Sequence, residues 1–293
     1  MNFHWPKETL SSPQTRKAMR QAILESIFLA KSGHPGGSLS MVEILSSLFE
    51  AGFQLDSSDF YNPENDRFVL SKGHGVPAYY AIMSQMGLFE AKELAGLRQY
   101  GHFLQGHPDR LRFDKMEAST GSLGQGASVA LGLALGLRLS YRAKKISRLP
   151  RVYCVLGDGE IQEGQVWECL MSCGKFMPGN LTFVLDYNKG QIDGPTSEVM
   201  NLEPLADKLR AFNLEVSSCD GHDVDRLKDY FSSCHTQEEG KARFLIANTV
   251  KGKGISFMEH PNKWHGAAPS EEQLVDAIKE LYEGESPNGT LRG

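Results

Sequence analysis

Arg151-Val152-Tyr153-Cys154-Val155-Leu156-Gly157-Asp158-Gly159-Glu160-Ile161, followed downstream by Asp186-Tyr187-Asn188, is the stretch that decides the fold. Arg151 to Leu156 reads as a buried strand, which Gly157-Asp158-Gly159 breaks sharply. Ile161 to Phe176 has helical length and periodicity. Leu181 to Leu185 is a second apolar strand, ending on Asp186 and Asn188. Two neighbouring parallel strands bring Asp158 and Asn188 together at their carboxyl ends, where open α/β sheets bind ligands. One carboxylate and one amide oxygen suit Mg²⁺, which keeps an octahedron of oxygens and recruits substrate phosphates to complete it. Gly159, beside Asp158, lets a diphosphate approach the backbone N–H groups. Gly-Asp-Gly alone is an ordinary turn; with the downstream Asn the spacing becomes that of a metal-bound diphosphate site.

The flanking segments alternate strand and helix. Thr15 to Lys31 is amphipathic, with Met19, Ala22, Ile23, Ile27 and Ala30 on one face, and Gly33 ends it. Met41 to Ala51 forms another helix, and Arg67 to Leu70 a short strand. Ala127 to Leu139 is apolar almost all round, the mark of a buried helix, with Gly132 and Gly136 one turn apart and open to close backbone contact. Phe212 to Val216 and Phe244 to Val250 supply later strands. Ser270 caps a closing helix, 271–283, through Gln273, with Leu274, Ala277, Ile278 and Leu281 as its buried stripe. The alternation predicts an α/β fold: a mostly parallel sheet with helices on both faces. No linker, repeat or low-complexity tract interrupts residues 1–293, so one domain is expected, its core running from about residue 15 to 267.

Composition narrows the partners. The 293 residues carry a formal charge of −5, which gives no general attraction to nucleic acid or to an anionic membrane. Arg138, Arg142, Lys144, Lys145, Arg148 and Arg151 cluster, but four of them close a helix, where cations suit the dipole and solvent. The start, Met1-Asn2-Phe3-His4-Trp5-Pro6, lacks a basic-then-apolar signal pattern, and no stretch is long and apolar enough to span a bilayer. Cys154, Cys169, Cys173, Cys219 and Cys234 are an odd, scattered set without paired metal spacing. Buried thiols in a reducing cytoplasm are expected.

The remaining chemistry sits in glycine-flanked histidines. Ser32-Gly33-His34-Pro35-Gly36-Gly37 places one at a helix end, where it could simply be a cap. Ser71-Lys72-Gly73-His74-Gly75 repeats the design directly after a strand, Gly106-His107-Pro108 adds a third and Trp264-His265-Gly266 a fourth. Thr120-Gly121-Ser122-Leu123-Gly124-Gln125-Gly126 feeds the apolar helix with backbone groups free to face a ligand. Together they describe a cavity of imidazoles and bare backbone around a metal-bound diphosphate, in which His can donate to oxygens and exchange protons near neutral pH.

With Val250-Lys251-Gly252-Lys253-Gly254 added, these motifs in this order resemble the N-terminal, diphosphate-binding half of transketolase. The likeness runs from roughly Thr15 to Ala267 and is closest to the N-terminal subunit of split transketolases, in which two genes encode one enzyme. It implies thiamine diphosphate with Mg²⁺, or Ca²⁺ or Mn²⁺ in its place, as cofactor. Asp158 and Asn188 then ligate the metal by side chain and Gly190 by its carbonyl. His74, His265 and the Gly159 backbone hold the diphosphate, and Gly121 and Leu123 contact the aminopyrimidine. His34, His107 and His265 meet sugar hydroxyls and assist proton transfer. Glu163 and Glu168 match acids in a carboxylate network between two cofactor sites; read alone, they are solvated or helix-capping glutamates. Ser122 stands where full-length enzymes usually carry proline, as in split-type chains, and Gly190 where a branched apolar residue is common.

The implied partner is a C-terminal transketolase subunit carrying the pyrimidine-binding domain, in an α2β2 heterotetramer acting on sugar phosphates. The implied reaction moves a two-carbon ketol unit from a ketose phosphate to an aldose phosphate. Other thiamine diphosphate enzymes, such as 1-deoxyxylulose-5-phosphate synthase or a 2-oxo-acid dehydrogenase subunit, share the Asp and Asn pair; the several histidine loops favour transketolase. A non-catalytic cofactor-binding or regulatory subunit is the other class. A P-loop or dinucleotide enzyme is excluded, because neither glycine fingerprint occurs in its strand context.

Overall fold

Four mainly apolar stretches starting at positions 67, 152, 181 and 243 and a polar edge stretch starting at 215 pair side by side, all parallel, in a computed structural model that describes residues 3–56, 59–234, 236–259 and 263–283. The elements run α1 (Pro13–Ala30), α2 (Pro35–Leu39), α3 (Val42–Ala51), β1 (Arg67–Leu70), α4 (Val76–Gln85), α5 (Gln125–Arg142), β2 (Val152–Gly157), α6 (Gly164–Phe176) and β3 (Leu181–Tyr187). A two-residue ribbon, β4 (Gly190–Gln191) with β5 (Gly194–Pro195), precedes α7 (Thr196–Val199), α8 (Leu205–Ala211), β6 (Glu215–Asp220), α9 (Val224–Ser233), β7 (Arg243–Asn248) and α10 (Glu271–Tyr282). The sheet order is β1-β2-β3-β7-β6.

Side chains alternate across the sheet, as strand geometry requires, and divide the interior in two. Tyr153, Val155, Val184 and Leu245 join Met19, Ile23, Leu45, Tyr80, Phe231 and Leu274, under α1, α3, α4, α9 and α10. Cys154, Leu156, Phe183 and Phe244 join Ala130, Ala134, Leu170 and Leu209, under α5, α6 and α8. Every residue of β2 and β3 is buried, so the two central strands read as continuous apolar runs rather than alternating ones. Ser12 caps α1 by accepting from Thr15 N, and Ser270 with Gln273 forms the expected capping box. All five cysteines are free thiols, and Cys169 and Cys173 are buried against the second core.

Three expectations need correction. The helix expected from Ile161 is interrupted: Glu160–Gln162 is a 3₁₀ turn and α6 starts at Gly164, because the Glu160 carboxylate turns back onto Gly157 N, Gly124 N and Ser71 Oγ. The strand expected at Phe212–Val216 starts only at Glu215; Phe212 and Asn213 close α8, Asn213 with a positive φ of 64°. Helix α5 is buried on one face only. Val129 and Leu139 are exposed, and a Cβ built on Gly132 or Gly136 meets nothing within 4 Å, so among the described residues no neighbouring element approaches them. Met1, Asn2 and residues 284–293, the ends of the span expected to form one domain, lie outside the described residues.

One polar knot ties the first core together. Glu43 on α3, 3 % exposed, accepts from Arg20 Nη2 at 2.8 and 2.9 Å, from Arg16 Nη1 at 3.1 Å, and from His222 Nδ1 at 3.0 Å. Burial opposes its charge, but Arg20 and His222 hold its carboxyl at about 2 instead of the ordinary 4.5. A carboxyl depressed on folding contributes stability that is complete above its unfolded value and is lost as pH falls from about 4.5 toward about 2. Glu43→Gln should therefore lower unfolding free energy by about 3–5 kcal/mol at neutral pH. The gap to the parent should narrow as the buffer is acidified across that window. Urea titrations at several pH values check this; a constant gap down to the acid end would contradict it.

Candidate functional site

The carboxyl ends of β1, β2, β3 and β7 open into loops that meet in one cavity of about 230 Å³. Lys72 and His74 follow β1; Asp158, Gly159, Glu160 and Glu163 follow β2; Asn188 and Gly190 follow β3; Lys251 follows β7. His265, Leu123 and Gly37 complete the wall. Parallel pairing of Gly157 with Asp186 brings the two loop starts together, as the sequence pattern requires.

The floor is a buried ion pair. Lys72 Nζ contacts Asp186 Oδ2 with side chains 1 % and 0 % exposed, and also donates to Gly37 O at 2.9 Å. Ser40 Oγ donates to the same carboxylate at 2.6 Å, Asn188 Nδ2 at 3.3 Å, and the Thr249 hydroxyl contacts its other oxygen. Burial alone would push the Asp186 carboxyl up; Lys72 and the two hydroxyls hold it below the usual range. Asp158 stands above this pair and lacks such support. It accepts from Gly159 N at 2.8 Å and from Lys189 N, yet burial, and then the Asp186 charge, push it up to about 6. It is a buried anion short of countercharge.

Around it stand imidazoles and an ammonium. His34 lies 5.4 Å from His74, 5.5 Å from His265 and 6.0 Å from His107 between ring centroids, and His74 lies 5.4 Å from His265. His34 occupies the cap position of α2 but makes no capping hydrogen bond, so its ring is spent elsewhere. Arg98 Nη2 lies 3.3 Å from His34 Nδ1. A guanidinium can only donate, so Nδ1 accepts and the neutral ring carries its proton on Nε2. Burial, helped by the neighbouring cations, lowers both His34 and His265 to about 4 and depresses His74 and His107 as well. Lys251 Nζ donates to Gly190 O at 3.2 Å and lies 3.0 Å from His265 Nδ1, and burial lowers it to about 8. Neutral donors and an ammonium around a cavity are suited to an anion whose oxygens need hydrogen bonds.

Most residues singled out in the sequence meet here. Asp158, Gly159, Glu163, Asn188, Gly190, His74, Leu123 and His265 line the cavity, and His34 and His107 stand beside it. Gly121 packs next to His107: with φ +137°, it has a Cβ position 2.9 Å from the ring. Glu168 is exposed on α6, outside the lining. Among the described residues no three His, Cys, Asp or Glu side chains form a metal cage. The oxygens of Asp158, Asn188 and Gly190 include one carboxylate and leave the rest of any shell to a ligand. Sequence reasoning missed Lys72, Asp186, Glu160, Arg98 and Lys251. The two lysines each follow a strand inside a glycine-containing motif, which was the available signal.

Residues 12–290 match the family described as transketolase, thiamine diphosphate binding domain. The chain is 41 % identical over 264 residues to the 6-deoxy-6-sulfo-D-fructose transketolase subunit SqwG of Clostridium sp. (strain MSTE9), covering 90 % of this chain and 93 % of that one. It is 37 % identical over 268 residues to an apulose-4-phosphate transketolase subunit of Actinobacillus succinogenes, at 90 % and 94 % coverage. Transketolase from Leishmania mexicana shares the fold with a TM-score of 0.83 at 28 % identity, over 95 % of this chain and 42 % of that structure. The chain belongs to the transketolase family and is built as its thiamine diphosphate-binding domain. Within that family it is of the N-terminal, diphosphate-binding subunit type of split transketolases, since its near end-to-end relatives are named as subunits. Among the described residues, no helix is long and apolar enough to cross a membrane.

Lys72→Met strands the Asp186 carboxylate in the interior. Loss of one partner of a buried pair costs about 3–5 kcal/mol, so the urea midpoint should fall markedly, and Lys72→Met/Asp186→Leu should recover part of the loss. An unmoved midpoint in the single variant would show that the pair does not hold the site.

Proposed function

We propose that residues 1–293 act as one thiamine diphosphate-binding domain. Paired with a C-terminal transketolase subunit carrying the pyrimidine-binding domain, it transfers a two-carbon ketol unit between sugar phosphates. The observation that carries this reading is the cluster of four imidazoles, two of them lining the cavity with the Lys251 ammonium and the undercompensated Asp158 carboxylate. The donor set fits Mg²⁺: the Asp158 carboxylate, the Asn188 amide oxygen and the Gly190 carbonyl are all hard oxygens. The raised Asp158 carboxyl marks a place where a divalent cation relieves an existing cost. Ca²⁺ or Mn²⁺ can substitute in such a set.

When bound, the cofactor supplies the electron sink for the two-carbon carbanion, the chemistry that side chains lack. This chain binds and orients. His74, His265, Lys251 and the Gly159 N–H hold the diphosphate, and Gly121 with Leu123 meets the aminopyrimidine. His34 offers Nε2–H to a sugar hydroxyl, in a tautomer set by Arg98. His107, which stands beside His34 and outside the cavity lining, serves the sugar. Glu163 and Glu168 are exposed, as suits groups completed by a second polypeptide. An α2β2 assembly is supported by the apolar face of α5 and α6, where Val129, Leu139 and Met171 are exposed around the open Gly132 and Gly136. A cytoplasmic setting follows from the scattered free thiols.

Asp158→Ala should abolish Mg²⁺-dependent cofactor binding in the assembled enzyme, and Asn188→Ala should weaken it less. Calorimetry that returned unchanged affinity for Asp158→Ala would remove the metal site.

The histidines divide between two duties. His107→Ala should leave cofactor affinity nearly intact and lower kcat/KM for ketose donors by roughly 10²–10⁴-fold, the usual worth of a proton-handling histidine. His74→Ala should instead raise the cofactor concentration needed for half-activity. Paired titrations of cofactor and donor separate these, and a His107→Ala enzyme crippled mainly in cofactor binding would refute the division.

A further inference from the structure

Val250-Lys251-Gly252-Lys253-Gly254 leaves β7 at the cavity mouth, and its backbone is gripped at four points. Gly252 N donates to Gly36 O at 3.0 Å and Gly254 N to Glu259 Oε1 at 3.1 Å. Val250 N donates to His222 Nε2 at 2.8 Å, and Lys253 O accepts from Arg20 Nε at 2.9 Å. There is little slack between these grips. Gly252 and Gly254 have φ of +79° and +95°, and a Cβ on either would lie 2.0 Å from Met258 O or 2.5 Å from Arg20 Nε. From the middle of this loop the Lys251 side chain reaches Gly190 O and His265.

The grips of His222 and Arg20 have a common origin. Because His222 Nε2 accepts a backbone N–H, the neutral ring carries its proton on Nδ1, and Nδ1 faces Glu43 Oε2 at 3.0 Å. Arg20 gives both carboxylate oxygens a hydrogen bond through Nη2 and turns its Nε to the loop. One buried carboxylate on α3 thus orients two side chains that hold the loop at its two ends. None of the three residues lines the cavity.

We propose that Glu43, His222 and Arg20 are positioning residues for Lys251, fixing the 250–254 backbone so that the ammonium stands in the diphosphate cavity. The proposal rests on the reading of that cavity as a diphosphate site. A remote residue acting through Lys251 loses its effect once Lys251 is gone, whereas one that only supports the fold does not. The test is a double-mutant cycle on the full chain, titrated calorimetrically with magnesium pyrophosphate. Lys251→Ala should weaken binding roughly tenfold, as loss of a charged hydrogen bond does. His222→Ala should weaken it several-fold in the parent and leave it unchanged in the Lys251→Ala background. Arg20→Lys keeps a cation against Glu43 but forfeits the Nε–H to Lys253 O; it should give the same pattern and serves if His222→Ala folds poorly. Equal losses in both backgrounds overturn the proposal, as does full affinity in His222→Ala and Arg20→Lys when Lys251→Ala is weakened. A parent chain that binds no magnesium pyrophosphate overturns the reading of the cavity and the proposal with it.

Discussion

Lys72 and Asp186 form an ion pair almost fully withdrawn from water, and the carboxyl edge of the sheet is organised around it. Lys72 follows β1 and Asp186 lies in β3, so the pair spans the strand between them, the one that leads into Asp158. Asp186 also takes hydrogen bonds from Ser40, Thr249 and its near neighbour Asn188, so four chain segments meet at one carboxylate. A buried pair of this kind gains little over an apolar replacement, but breaking it is costly. Its value here is geometric: the loops bearing cavity residues are anchored close to this group or to Glu160, which binds Ser71, Gly124 and Gly157 in the same manner.

The same dry surroundings set the electrostatics above. Burial strips charge from the imidazoles and makes Asp158 reluctant to ionise, while leaving Lys251 cationic. The cavity sets the Asp158 carboxylate and the Lys251 ammonium among imidazoles, of which His34 and His265 accept through Nδ1 from Arg98 and Lys251. Such a site suits the metal-bound anion proposed above, the electrostatic counterpart of the oxygen donor set of Asp158 and Asn188.

Much of this is legible in the sequence because it is local. A strand broken by Gly-Asp-Gly, a second strand ending near Asn188 and histidines flanked by glycines are patterns of a few residues, and the parallel register then brings them together. What is not legible depends on partners far along the chain. Lys72 and Asp186 are 114 residues apart, and neither segment shows its need for the other. The delayed start of α6 follows from Glu160 reaching back to Ser71 and Gly124, which periodicity cannot see. The apolar girth of α5 reads as burial, but hydrophobicity does not say which molecule does the burying. Glu163 and Glu168 are ambiguous for the same reason.

The exposed face of α5 and α6 also bears on how the chain lives before it is assembled. Val129 and Leu139 lie open to solvent on α5 with the bare Gly132 and Gly136, while its other side is packed, and Met171 is exposed on α6. Apolar groups exposed in this way are a liability for a polypeptide without the covering partner proposed above. Under that proposal, the free chain needs its partner or a chaperone at hand as it is made.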